Sequence, residues 1–269
     1  MVDSPAKRQQ TDLQMIPISI CMIAGNEAAR IRRTLESVAG WAAEIVIVIN
    51  DDVTDGTEKI AAEFGAKVFR ETWKGFGPQK QSAAKKCMQP WLLNLDADEE
   101  VTPVLRDEIR RALAEPGDYA AFCFPRCTQF CGRWIRHGDW YPDRQTRLWR
   151  RGRARWSDVQ VHETLKADGP VGRLRHDLLH YTAETINHQI AKTVRYADDF
   201  VRHCAEQGKT ATFLDLLVRP LWRFWRAYLF KLGFLDGWQG CYIAWMTAFY
   251  TATRYAKVRA AQEQKDKPG

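Results

Sequence analysis

The feature that most constrains the fold is a repeated alternation of short apolar runs and amphipathic segments over residues 15–115. The run IVIVI at 45–49 is uncharged and β-branched, as is typical of a parallel strand covered on both faces. Other apolar runs lie at 16–23, 68–69 and 91–95. Because strands that alternate with helices form parallel sheets, the sequence predicts an α/β fold with an open, mostly parallel sheet and flanking helices.

Helix signals lie between and after these runs. Ile31, Leu35 and Val38 recur at helical spacing after the first run. A second helix is expected to end near Phe64-Gly65, and Pro78 is expected to open a third. Thr102 followed by Pro103 has the pattern of a capping residue and a first helical residue. Ligands of such sheets bind beyond the carboxyl ends of the strands, so the polar clusters at those ends are the candidate site.

The strongest polar cluster is LDADEE at 95–100, which places four carboxylates at the end of an apolar run. A divalent cation would relieve their mutual repulsion, and an Asp-x-Asp pair at a strand end can hold a metal-bound diphosphate through Mg²⁺ or Mn²⁺. In the alternative interpretation, Asp98, Glu99 and Glu100 only complement the positive end of the helix that follows. The residues alone leave both interpretations open.

A second cluster, NDDVTDGT at 50–57, follows the second run. One of its carboxylates is placed to accept a nucleobase N–H, although Asp55 is equally explained as a helix cap. The glycine fingerprints of dinucleotide-binding proteins and of P-loop ATPases are absent from the chain, which disfavours both classes.

Cys123, Cys127 and Cys131 would aim three thiols at one metal only if that stretch were helical. No fourth ligand is evident, and the seven cysteines are interpreted as reduced thiols of a cytoplasmic protein.

Together these segments resemble the family 2 glycosyltransferases of the GT-A fold, with a particular likeness to the bacterial lipopolysaccharide core β-1,4-glucosyltransferases. The resemblance extends over about residues 16–257. The segments that carry it are Asn26-Glu27, NDDVTDGT at 50–57, WKGFGPQK at 73–80, LDADEE at 95–100, IRHGDWYPDRQTRLWRRG at 135–152 and VHE at 161–163.

The resemblance implies transfer of a sugar from a UDP-sugar with inversion at the anomeric carbon, and Mg²⁺ or Mn²⁺ as cofactor. It implies that Asp51 contacts the uracil, that Asp96 lies near the ribose and diphosphate, and that Asp98 ligates the metal. The further residues implied at the nucleotide-sugar site are Asn26, Glu27, Gln79 and Lys80.

An inverting displacement needs one general base for the acceptor hydroxyl. Glu163, which follows His162, is predicted to be that base, and Asp143 is the alternative. In the simpler interpretation His162 and Glu163 are a surface pair, and His180 is expected to be structural.

Eight arginines lie between residues 133 and 155, interspersed with tryptophans. Arginine binds phosphate through two parallel hydrogen bonds, so Arg144 and Arg147 are predicted to grip the donor diphosphate or a phosphorylated acceptor. A solvated basic face is the alternative for the rest. With a net charge of +7, this run also motivates a rival class, a non-catalytic nucleic-acid-binding protein.

The region 212–257 combines arginines with many aromatic residues in helical patterns. Its uncharged stretch 237–253 is too polar for a spanning helix, so the pattern favours amphipathic helices that bind an anionic inner-membrane surface. Ordinary core or dimer packing is the alternative.

The predicted organisation is therefore a polar tail (1–14), a GT-A domain (15–185) with a nucleotide-sugar half (15–115) and an acceptor half (116–185), a membrane-associating helical region (186–257) and a second tail (258–269). The predicted activity is transfer of a sugar, expected to be glucose from UDP-glucose, to a lipid-linked saccharide such as the inner core of lipopolysaccharide, by a cytoplasmic enzyme peripheral on the inner membrane. A protein or polyprenyl-phosphate acceptor is the alternative within the same fold, and no nucleic-acid partner is expected.

Overall fold

The computed structural model describes residues 15–157, 163–182 and 186–265. The chain divides into two compact units. The first contains residues up to 124 and 144–178, and the second contains 125–143 and the residues from 179 onward. The functional division predicted at residues 115 and 185 stays a prediction.

The first part of the chain alternates strands and helices as predicted. Its elements are β1 (Ile16–Ala24), α1 (Ile31–Val38), β2 (Ala42–Asn50), α2 (Thr57–Glu63), β3 (Lys67–Glu71), α3 (Phe76–Lys86), β4 (Trp91–Asn94), β5 (Glu99–Val101) and α4 (Pro103–Ala114).

The middle of the chain consists mainly of strands. They are β6 (Ala121–Phe130), β7 (Arg133–Trp134), β8 (Asp143–Arg150), β9 (Ala154–Trp156), β10 (Leu165–Ala167), β11 (Val171–Arg173) and β12 (Leu178–His180). The last part is helical, with α5 (Ile186–Glu206), α6 (Phe213–Trp225) and α7 (Gly237–Lys265). Since α7 continues to Lys265, the segment predicted as a polar tail from 258 begins as helix.

The main sheet has the strand order β3-β2-β1-β4-β8-β6-β12-β5. β2 pairs in parallel with β3 and β1, and β1 pairs in parallel with β4, whereas β8 runs antiparallel to β4. The prediction of an α/β fold with a mostly parallel sheet is confirmed. Its consequence for the site is that the carboxyl ends of β1, β2 and β4 lie at one edge.

The core of the first unit explains why those strands are so apolar. Ile20, Ile47 and Leu93, from three adjacent strands, have no exposed surface. Burial of that kind contributes roughly 1.5–3 kcal/mol for each large aliphatic side chain. Ile31 and Leu35 of α1 are also fully buried, as their spacing predicts.

Three local predictions have different outcomes. Thr102 caps α4 as expected, because its hydroxyl accepts a hydrogen bond from the Leu105 N–H at 3.2 Å. The hypothesis of three helically spaced thiols is wrong, because Cys123 and Cys127 lie in β6, an extended strand. The Cys127 Sγ instead donates to the Ile135 carbonyl at 3.4 Å. The predicted helix at Pro78 begins two residues earlier, at Phe76.

The second unit contains the three long helices. A capping box starts α6: the Thr212 hydroxyl accepts from the Asp215 N–H, and the Asp215 carboxylate accepts from the Thr212 N–H. A short π-helical segment, Arg226–Phe230, continues α6. None of the described helices has the length and hydropathy that crossing a bilayer requires.

Candidate active site

The loops that follow β1 and β2 are joined by hydrogen bonds. The Asp55 carboxylate accepts from the Ala28 N–H at 2.9 Å and from the Thr57 N–H at 3.0 Å. The Glu27 N–H donates to the Thr57 hydroxyl at 2.9 Å. The Thr57 hydroxyl, which donates to Asp55 at 2.6 Å, lowers the pKa of that carboxyl most, and the Ala28 N–H lowers it further. The interpretation of Asp55 as the N-cap of α2 is wrong, because Gly56 occupies that position. The Asp55 carboxylate instead links two loops of the candidate site.

Asn26 and Asp51 lie in the same pair of loops. The Asn26 side-chain oxygen accepts from the Thr54 N–H at 3.1 Å, which commits it to the loop after β2. Asp51 is exposed, and its carboxylate accepts from the Thr72 hydroxyl at 2.7 Å. An exposed carboxylate oriented by one hydroxyl remains accessible to a ligand.

Lys80 lies at the centre of a second group of residues. The side chain projects from α3 and is 4% exposed. Its ammonium lies 2.8 Å from the Glu163 carboxylate and 3.1 Å from the Asp96 carboxylate. The same nitrogen lies 5.1 Å from the centre of the Trp156 ring. Lys80 therefore brings together two carboxylates that are far apart in the sequence.

Arg147 holds the other side of Asp96. One guanidinium nitrogen donates to the Asn94 side chain at 2.5 Å, and another donates to Asp96 at 2.9 Å. The Glu99 carboxylate lies 3.7 Å away and accepts from the Asp96 N–H at 2.9 Å. Although burial opposes its charge, these carboxylates raise the pKa of Arg147. The protein's own cations thus relieve the repulsion within the acidic cluster at Asp96.

Asp98 has a different environment. Its carboxylate lies 3.8 Å from the Arg30 guanidinium, which also lies 3.3 Å from Glu27. Burial raises the pKa of Glu27, and the negative charge of Asp98 adds to this against the opposing effect of Arg30. One carboxylate oxygen of Glu27 is buried and accepts no hydrogen bond from the described residues. Arg30 is therefore shared by Asp98 and Glu27, two carboxylates whose negative charges oppose each other.

Gln79 precedes Lys80 on α3 and is fully buried. Within the described ranges, neither the oxygen nor the nitrogen of its amide has a hydrogen-bond partner. A buried amide in that state has unused hydrogen-bonding capacity, which is costly unless a ligand uses it.

The two predicted arginines are not brought together. Side chains three positions apart on a strand point to opposite faces, and on β8 Arg147 is buried whereas Arg144 is exposed. Arg144 donates to the Leu174 carbonyl at 3.2 Å. Other arginines of the run also donate to backbone carbonyls, namely Arg133, Arg150 and Arg153.

The alternative base, Asp143, belongs to the second unit, where it accepts from Arg126 at 2.8 and 3.0 Å. His180 is in the same unit, with Nδ1 3.2 Å from the Thr128 hydroxyl. His162 lies outside the described residues. In the part of the chain that is described, no three histidine, cysteine or carboxylate side chains converge as a metal site would require.

Sequence reasoning missed three residues of this site, namely Asn94, Trp156 and Arg30. Asn94 could have been identified from the sequence, because a polar amide inside an apolar strand needs a hydrogen-bond partner when it is buried. Its nitrogen donates to the Cys21 carbonyl and its oxygen accepts from Arg147. Trp156 and Arg30 had no comparable signal in the sequence.

Comparison with known proteins gives a consistent result. Residues 19–165, more than half of the chain, match the model of glycosyl transferase family 2. The chain is 32% identical to the lipopolysaccharide core biosynthesis glycosyltransferase LpsC of Rhizobium meliloti, over 90% of this chain and 94% of LpsC. It is 30% identical to an uncharacterized glycosyltransferase of Rickettsia felis, over 91% of this chain and 90% of the relative.

Among solved structures, the fold is similar to that of the mannosyltransferase PcManGT from Pyrobaculum calidifontis in complex with GDP-Man and Mn²⁺. The TM-score is 0.52 at 15% identity, and the match covers 97% of this chain and 92% of that chain. At this identity the similarity concerns the fold.

Proposed function

Because this chain belongs to glycosyl transferase family 2, we propose that it transfers a sugar from a UDP-sugar, expected to be UDP-glucose, to a lipid-linked saccharide with inversion at the anomeric carbon. The proposed acceptor is the inner core of lipopolysaccharide or a saccharide of that kind. The relative LpsC, whose name refers to lipopolysaccharide core biosynthesis, supports this choice.

One observation carries the proposal: the Lys80 ammonium joins the Asp96 and Glu163 carboxylates at 3.1 and 2.8 Å. Asp96 opens the acidic motif expected at the donor diphosphate, and Glu163 is the expected base. A base must lie near the reacting carbon of the donor to act on the acceptor hydroxyl. Because Lys80 contacts both carboxylates, it supports the placement of Glu163 beside Asp96, although Glu163 is 83 positions away from Lys80 in the sequence.

In the proposed reaction Glu163 takes the proton of the acceptor hydroxyl while that oxygen forms a bond to the anomeric carbon. The bond from this carbon to the diphosphate oxygen breaks, and its electron pair leaves with UDP. One proton moves to Glu163 and one negative charge to the diphosphate, so the step balances. A single displacement on the face opposite the leaving group inverts the anomeric carbon.

Arg147 and Glu99 hold Asp96 in place, the first through its carboxylate and the second through its backbone N–H. We assign Arg147 to positioning Asp96, since its guanidinium is buried among protein partners. Arg144, exposed on the opposite face of β8, is the arginine that remains accessible to a phosphate group.

The charge around Asp98 fits a divalent cation. A Mg²⁺ or Mn²⁺ ion bound through one carboxylate and the donor's phosphate oxygens needs few protein ligands. Asp98 would hold it, and the Glu27 carboxylate, whose pKa is raised by burial and further by the charge of Asp98, lies close enough for the two charges to interact. When bound, such an ion offsets the charge of the departing diphosphate.

Calorimetric titration of UDP, GDP and CMP, with and without Mn²⁺, tests the donor site. We expect UDP to bind the wild-type protein in a Mn²⁺-dependent manner, and Asp98→Asn to weaken this binding at least about tenfold because the ion loses a carboxylate. The matched control is Asp118→Asn, an exposed aspartate of the same unit that lies outside the site. Absence of nucleotide binding under every condition would contradict the proposal.

If UDP binds, release of UDP with different acceptors tests the second half of the proposal. Lipopolysaccharide core acceptors are expected to support turnover, and polyprenyl phosphate or protein acceptors are not. Turnover with either of the latter alone would replace the proposed acceptor class.

A further inference from the structure

The helix α6 exposes its apolar side rather than burying it. Large apolar residues recur at the spacing of one helical face, which spans about 140° of the circumference. Between 48% and 68% of the surface of each is exposed. We call these residues the outer face of α6: Leu214, Leu217, Val218, Leu221, Trp222 and Trp225.

The opposite side of α6 carries the polar groups. Arg219 pairs with Asp215 of the same helix, and Arg223 lies 3.3 Å from Asp139. Pro220 is the buried residue of the helix. An ordinary surface helix has the reverse arrangement, with the apolar stripe inward and the charges in solvent.

The outer face of α6 continues into neighbouring aromatic residues of the same unit. The Trp222 and Phe230 rings are 5.6 Å apart, and Phe224 contacts both Trp225, at 5.2 Å, and Trp245 of α7, at 4.6 Å. Trp245 is itself 60% exposed. A contiguous apolar surface of this kind on a folded protein marks an interaction site.

The charge around this surface is positive. Residues 209–254 contain six lysines and arginines and two aspartates. Asp215 contacts Thr212, and Asp236 accepts from the N–H groups of Arg136 and His137. Asp139, from an earlier part of the unit, faces three of the cations, so the positive charges still outnumber the negative ones. Because a helix with its side chains is ~10 Å to ~12 Å across, cations opposite the outer face would act over a distance comparable with the Debye length of ~8 Å at 0.15 M salt.

We propose that the outer face of α6 docks on the interface of an anionic lipid bilayer, with its leucines and tryptophans inserted among the acyl chains. Tryptophan and leucine facing outward, with lysine and arginine behind them, are the residue types of interfacial helices. The excess positive charge favours anionic lipid over a second copy of this positively charged chain. The inference deepens the proposed function, because a lipid-linked acceptor lies at such a surface.

The test is binding of the full-length protein to vesicles in the absence of donor and acceptor. We expect co-sedimentation with phosphatidylcholine vesicles that contain phosphatidylglycerol, weaker binding to pure phosphatidylcholine, and loss of binding as salt is raised. The double variant Leu217→Glu, Leu221→Glu is expected to reduce binding at least about tenfold, because it places two charges in the inserted face.

The matched control is Met88→Glu, Val104→Glu, which changes two equally exposed apolar residues of the first unit and should leave vesicle binding unchanged. Circular dichroism of both double variants verifies that they are folded. Equal loss in the control, equal binding to neutral vesicles, or a wild-type dimer that ignores vesicles and is dissociated by the α6 variant would each overturn the proposal. Transfer to a water-soluble acceptor fragment, measured separately, distinguishes these outcomes from failure of the proposed function.

Discussion

The two units use their apolar side chains in opposite ways. In the first, the strands β1, β2 and β4 bury theirs completely, and the charged groups gather where those strands end. In the second, α6 turns leucines and tryptophans outward. This contrast matches the division proposed above, in which the edge of the sheet orients the reacting groups and the helical unit provides a lipid-binding surface.

The charged groups of the two units differ in the same way. Asp96 is shared by two cations, Lys80 and Arg147, each of which also lies near a second carboxylate. In the second unit, Asp139 alone faces Arg226 at 2.6 Å, Lys231 at 3.1 Å and Arg223 at 3.3 Å. Charges therefore compensate one another at the candidate active site, whereas positive charge remains in excess near α6.

The largest expected effect separates the two roles. Glu163→Gln removes the proposed base and should lower kcat by about 10²- to 10⁴-fold, while vesicle binding stays unchanged. Asp143→Asn, in the second unit, is expected to keep kcat within a few-fold. Steady-state kinetics on both variants decide the assignment, and the reverse result would make Asp143 the base.

A smaller effect tests the burial contrast. Leu93→Ala removes a fully buried side chain of β4 and should lower the free energy of unfolding by about 2–5 kcal/mol. Leu221→Ala, on the outer face of α6, should change it by no more than about 0.5 kcal/mol. Denaturant titrations followed by circular dichroism provide both values. A comparable loss in Leu221→Ala would show that α6 packs its apolar side inside the protein.

The smallest effect concerns pH. Burial opposes ionisation of Glu71, but hydrogen bonds from Lys74, Lys86 and Ser82 outweigh it and lower the pKa of Glu71 to about 2. The ionised Glu71 carboxylate therefore stabilises the folded state at pH values above its ordinary pKa of 4.5, and this contribution is lost as the pH falls towards 2.

Glu71→Gln should reduce the change in unfolding free energy between pH 4.5 and about pH 2 by about 1 kcal/mol or less. The effect is small because Lys74 and Lys86 are partly exposed. Denaturant titrations at several pH values measure it. An unchanged slope would assign the acid sensitivity of the first unit to other carboxylates.

Much of the fold was predictable because it follows from local patterns. The β-branched run 45–49 became β2, and Thr102 with Pro103 marked the start of α4. The placement of polar residues after β1, β2 and β4 followed from the topology of a parallel sheet. The family resemblance, carried by motifs at the same places, is confirmed.

The partners of the site residues were not predictable, because they depend on tertiary contacts. Arg147 was expected to bind a ligand's phosphate, yet it donates to Asp96, 51 positions away. Periodicity likewise identifies the apolar side of α6 without indicating whether that side meets the protein or the solvent. The spacing of Cys123 and Cys127 suited a helix, but β6 pairing determined a strand.

The hydrogen bonds of Asp55 have a consequence for how this enzyme can diversify. Since one carboxylate spans the loops after β1 and β2, an insertion in either loop would separate Ala28 from Thr57 and break the link. Variation in length is therefore disfavoured at this edge of the sheet. If this edge binds the donor as proposed, new donor preferences would have to arise by exchange of single side chains, such as Asp51, on a backbone of constant length.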